Sequence, residues 1–131
     1  MAGITPILTD LPSPETLARR DGSHSGNPAV RQAVLQQKEP QHVAWAATRA
    51  DGGRGFGFTG GHDHWNWGDR NFRKLVLNAI AWCAQAEIPA GGVGDEPVTF
   101  GQLEQNQDEE PGNDFDRNKI RARLRSFSGG T

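Results

Sequence analysis

With 131 residues the chain is in the size range of one domain, and its 34% apolar content, raised by 17 glycines, is ordinary globular usage. A net charge of −2 leaves no overall basic field to attract nucleic acid or an anionic membrane. The single cysteine, Cys83, excludes an intramolecular disulfide.

No apolar run approaches the roughly 18 residues of a membrane span, and no basic segment followed by an apolar one opens the chain. The expectation is a soluble, cytoplasmic protein without nucleic-acid or membrane partners. Apolar residues cluster between Val43 and Ile88, whereas both flanks are rich in Pro, Gly, Gln and charge.

Residues 1–26 carry Pro6, Pro12, Pro14, Gly22 and Gly26 and read as extended or looped chain. Asn27-Pro28 supplies an N-cap followed by proline at the first helical position, so a short helix is expected over about 28–37, ended by Pro40. His42 to Thr48 is enriched in β-formers, Asp51-Gly52-Gly53 tolerates positive φ, and Arg54 to Thr59 resumes an extended pattern. That is a hairpin. In its second arm Phe56 and Phe58 share one face, while Gly55 and Gly57 leave the other open to close packing.

Gly60 to Trp67 forms a polar-aromatic loop, after which Asp69 is placed to cap a helix. Phe72, Leu75, Val76, Ala79, Ile80 and Cys83 then form a helical stripe, widened by Leu77 and Trp82. Beyond Pro89, Gly91, Gly92 and Gly94 suggest a flexible connection, and Thr99-Phe100-Gly101-Gln102 resembles a capping box. Glu104 to Asp116 holds six acidic residues and no basic ones, and Arg117 to Arg125 holds five basic residues and no acidic ones. Opposed charge blocks of this kind read as a mobile tail or a solvated, frayed helix.

Three segments together resemble a known family: Gln41-His42-Val43-Ala44-Trp45, Gly53-Arg54-Gly55-Phe56-Gly57-Phe58-Thr59-Gly60-Gly61-His62, and Phe72-Arg73-Lys74-Leu75-Val76-Leu77-Asn78-Ala79-Ile80-Ala81-Trp82. In this order they look like the C-terminal part of a ThuA-like (trehalose-utilisation) domain, firmly over about 40–90. Pro6-Ile7-Leu8 and His24-Ser25-Gly26-Asn27-Pro28 resemble its lead-in. The resemblance implies an α/β fold of the flavodoxin-like, class I glutamine amidotransferase-like type, and a role in carbohydrate utilisation. It divides the chain into a partial ThuA-like domain over 1–90 and a flexible extension over 91–131. Since one hairpin and one long helix do not complete a doubly wound sheet, the domain is expected to be incomplete here. Cys83 sits on the helical stripe and no Gly-x-Cys-x-Gly elbow exists, so glutamine hydrolysis is not expected.

The candidate chemistry lies in the loop. His62 and His64 could act with Asp63 in acid-base or hydrolase-like sugar processing, or form an H-x-H pair for a divalent metal such as zinc. They could equally satisfy backbone groups at a strand end or face solvent. Zinc would require a third ligand from Asp63, His24 or elsewhere. Trp65 and Trp67 flank Asn66, and two indoles beside an amide suit stacking on a sugar, with His24 folding toward the same place. Indoles that cover the helix start are the alternative, as are a non-catalytic sugar-binding or interaction module and an inactive fragment. Trp45 and Trp82 read as core.

Overall fold

The computed structural model describes residues 3–22, 26–105 and 107–128. It is a mixed α/β structure, in two compact units, Met1–Thr59 and Gly60–Thr131. His24, one of the residues expected near the site, lies outside the described residues.

The first unit is a three-stranded antiparallel sheet with a short helical segment. Strand β1 (Ile4–Asp10) pairs with β2 (Gln41–Thr48), which pairs with β3 (Arg54–Phe58). The expected hairpin is β2–β3. Its turn closes as the residues dictate: Gly52 adopts φ 82, the Asp51 carboxylate accepts from the Gly53 amide at 2.8 Å, and the Arg49 amide donates to the Gly53 carbonyl at 2.8 Å.

Gly57 pairs directly with Trp45, and a Cβ at that glycine would lie 2.8 Å from Trp45 Nε1 and closer still to its ring carbons. The bare glycine face therefore seats the indole. On the other face Phe56 and Phe58 lie 6.2 Å apart, centroid to centroid. Ala44, at the centre of β2, is wholly buried.

Of the extended or looped chain expected over 1–26, Ile4–Asp10 takes the extended form and pairs as strand β1. Pro6 cannot donate to a ladder, which argues locally against a strand, yet an edge strand accommodates it, and the register shifts just after it, between Pro6 and Leu8 and between Leu8 and Thr9. Every residue of β1 remains exposed.

Helix α1 (Pro28–Arg31) starts where Asn27 caps it, its side chain accepting from the Ala29 amide at 3.0 Å and the Val30 amide at 3.3 Å. After one turn the ladder widens to a π-type turn over Gln32–Gln36, closed by the Gln37 amide on the Gln32 carbonyl at 3.2 Å. Lys38 then turns the chain with φ 57, so the helix stops before Pro40 is reached. Val34, 1% exposed, is the buried residue of this segment.

The second unit is built on helix α2 (Arg70–Cys83). Asp69 caps it as the sequence predicts, accepting from the Asn71 amide at 2.7 Å and the Phe72 amide at 3.2 Å. Thr99 and Gln102 form the expected reciprocal capping box at the start of α3 (Phe100–Leu103). Among the described residues of this unit, Leu103 in α3, 6% exposed, and Ala79 in α2, 9% exposed, are the buried apolar ones.

Segment 91–96 is tied to α2 by side chains. Arg73, only 9% exposed, donates to the Asp95 carboxylate at 2.9 Å, the Trp67 carbonyl at 2.7 Å and the Glu96 carbonyl at 3.2 Å. Asn78 accepts from the Val93 amide at 2.7 Å, and Lys74 donates to the Gly91 carbonyl at 2.8 Å. Burial raises the Asp95 carboxyl, but hydrogen bonds from Arg70 and Arg73 outweigh it and hold the group below the ordinary carboxylate range. The basic block forms a 12-residue helix, α4 (Arg117–Ser128), with Ile120, Leu124 and Phe127 half-buried and Asp116 accepting from the Asn118 amide at 2.9 Å. Residues 91–128 thus share a unit with α2, and the boundary between units falls inside the 1–90 segment that the resemblance groups together.

Candidate functional site

The polar-aromatic loop folds as two 3-10 turns, Gly60–His62 and His64–Gly68. Asp63 begins the second, its Oδ1 accepting from the Trp65 amide at 3.1 Å. The His64–Gly68 turn touches α2, α3 and α4, so it is the point where the helices of the second unit meet. Its side chains are engaged accordingly.

Trp65 stacks with Phe100, the ring centroids 5.5 Å apart and the planes 7° from parallel, and with Phe115 at 5.6 Å and 26°. Arg121 lies 4.5 Å from the Phe100 centroid and Arg117 5.4 Å from the Phe115 centroid, extending the stack with a cation beside each phenyl ring. Trp67 meets Phe72 edge to face at 4.9 Å.

The polar members hold the loop's shape. Asn66 Nδ2 donates to the Gly60 carbonyl at 2.9 Å, and its Oδ1 accepts from Arg123 at 2.6 Å. Asp63 Oδ2 accepts from the other terminal nitrogen of Arg123 at 2.7 Å. That hydrogen bond is the main cause holding the Asp63 carboxyl below its ordinary range; desolvation opposes it, and the Trp65 amide and the charge on Arg123 add to it.

His64 Nε2 lies 2.6 Å from the Leu103 carbonyl. A carbonyl only accepts, so this nitrogen carries the proton, and the neutral ring is left with Nδ1 as its acceptor. Gln107 Nε2 donates to the same carbonyl at 3.2 Å, which makes its 3.4 Å approach to His64 Nε2 a donor beside a donor. His62 is exposed.

Two clefts open on either flank of the Trp65–Phe115 stack. One, of about 400 Å³, is lined by His64, Trp65, Glu104, Gln107, Glu109, Glu110, Phe115 and Arg117, with Glu104 accepting from Arg117 Nε at 2.5 Å. The other, of about 490 Å³, is lined by Asp63, Trp65, Phe115, Asp114, Lys119 and Arg123. Both fall in the size range of small-molecule sites.

Among the loop residues expected to act together, the structure gathers Asp63 and Asn66 under one guanidinium, and turns His64 and Trp65 toward the first cleft. Trp67 is directed instead to Phe72. Zinc takes at least three protein ligands, and among the described residues no three His, Cys, Asp or Glu side chains converge to hold a metal ion; His24, the other ligand considered, lies outside them.

Residues 104–117 and Arg123 were not among the expected site residues. Their charge blocks are visible in the sequence, but which of those charges reach the loop depends on how α3 and α4 pack. Among the described residues, no helix is long and apolar enough to cross a membrane. Comparison with protein-family models, with curated proteins and with solved structures finds no match to this chain.

Proposed function

We propose that this chain is the C-terminal portion of a ThuA-like domain, of the flavodoxin-like, class I glutamine amidotransferase-like type, linked to carbohydrate utilisation. In this reading the cleft beside His64 and Trp65 binds a small neutral sugar. The family assignment rests on the ordered segments within 41–82. The binding assignment rests on one observation: a cleft of about 400 Å³ lined together by Trp65, Phe115, Gln107, Glu109 and Glu110. Trp65 is already stacked with Phe100 and Phe115, so these rings offer apolar surface beside a pyranose rather than a bare stacking platform, and carboxylate oxygens accept from its hydroxyls.

Binding is favoured over turnover by the state of the loop. Asp63 already accepts from Arg123 and from the Trp65 amide, and is held ionised by them, which suits an orienting group better than a proton shuttle. His64 has one ring nitrogen fixed on Leu103, leaving Nδ1 as a hydrogen-bond acceptor toward a ligand hydroxyl.

Calorimetric titration of the full chain with trehalose and with glucose tests the reading. Saturable binding is expected, weakened at least tenfold when His64→Ala is combined with Glu109→Gln and Glu110→Gln. No binding by the parent, or binding indifferent to these changes, sinks it.

A further inference from the structure

Arg123 is the residue through which the C-terminal helix reaches the loop. It lies 60 residues from Asp63 and 57 from Asn66, yet its two terminal nitrogens bond both, at 2.7 and 2.6 Å. Each partner has a second tie into the loop backbone: Asp63 Oδ1 to the Trp65 amide, and Asn66 Nδ2 to the Gly60 carbonyl. One planar fork thus fixes both ends of the segment that carries His64 and Trp65. Arg123 itself lines the cleft on the other flank of the Trp65–Phe115 stack, with Asp63 and Lys119.

We infer that Arg123 is a positioning residue for the binding cleft, so that α4 is an integral part of the site. This rests on the reading of that cleft as a sugar site. The charged fork suits the task because it donates in one plane to two acceptors at once, with charge assistance on Asp63. A lysine has a single nitrogen on a flexible stem and cannot span both acceptors in the same way. Phe127, one turn further along α4, lies 5.7 Å from the Arg123 guanidinium and supports its orientation.

The experiment uses the full chain with Arg123→Ala and Arg123→Lys, each alone and on an Asp63→Ala/Asn66→Ala background. Two quantities are read: glucose affinity, and amide hydrogen exchange at Trp65 and Asn66 without ligand. Arg123→Ala is expected to weaken glucose binding about three- to tenfold and to speed exchange at these two amides, while amides within α2 keep their rates. Arg123→Lys should fall between Ala and the parent.

On the double-variant background neither change at Arg123 should have further effect, since its acceptors are gone; a merely structural contribution from α4 would persist there. Unchanged affinity in Arg123→Ala overturns the inference, as do additive effects on that background. If the parent binds no sugar, the proposed function fails and the exchange rates alone decide: selective acceleration at Trp65 and Asn66 upholds positioning of the loop by Arg123, and unchanged rates reject it.

Discussion

Replacing Gly57 by alanine tests the seating of Trp45 on β3. An added Cβ would lie 2.8 Å from the indole Nε1 and nearer still to Cε2 and Cζ2, inside the 3.0 Å that real Cβ atoms respect. The ring is rigid and sits on the residue paired with Gly57, so the strain must go into a displaced indole or a displaced strand. Overpacking of this kind destabilises by about 1–3 kcal/mol. Gly55 is the control, two residues away on the same strand, where a Cβ meets nothing within 4 Å. There alanine only reduces the freedom of the unfolded chain, a gain of about 0.5–1 kcal/mol.

Urea unfolding followed by tryptophan fluorescence should therefore rank Gly55→Ala above the parent and Gly57→Ala below it. The gap between the two variants should close on a Trp45→Leu background, where the indole is absent. Equal midpoints for the two alanine variants in the native background would refute the packing described for this hairpin.

Asp69→Ala removes both hydrogen bonds that cap α2 and should destabilise by about 1 kcal/mol, whereas Asp69→Asn should retain most of the cap; thermal melts distinguish them. The Asp63 carboxyl is held below the roughly 3.9 of an unfolded aspartate, so its contribution to stability is present above that pH and lost as pH falls through the lower folded value. With the Asp63 side chain 43% exposed, solvent screening limits the contribution to under about 1 kcal/mol. The difference in thermal midpoint between the parent and Asp63→Asn should be constant near neutrality and shrink below about pH 4; a difference that grows on acidification would contradict the sign.

What was legible in the sequence was what short-range chemistry decides. Asn27, Asp69 and Thr99 announce helix starts because each cap is made with amides two or three residues away. Asp51-Gly52-Gly53 announces the hairpin for the same reason. Strand β1 was legible only as extended or looped chain, since its ladder comes from residues 41–47, far along the chain, and Pro6 argues locally against pairing. The π-type turn after α1 likewise leaves no mark in the spacing of Val30, Ala33 and Val34.

In the loop, the residue types were conspicuous but their engagements were not. Trp65 reads equally well as a sugar platform or as a packing residue until Phe100 and Phe115 are placed beside it. Arg123 carries no signal beyond being one of five basic residues in a block, because its role depends on the direction in which α4 presents it.

The proposed function places a small sugar in the cleft beside His64 and Trp65. The most direct measurement is a heteronuclear NMR titration of the full chain with glucose and with trehalose. Saturable shifts of the His64 ring, the Trp65 indole and the Gln107 side-chain amide, with the β2–β3 hairpin unmoved, are the predicted result. Shifts absent from these three groups at saturating sugar, or confined to other parts of the chain, would contradict it.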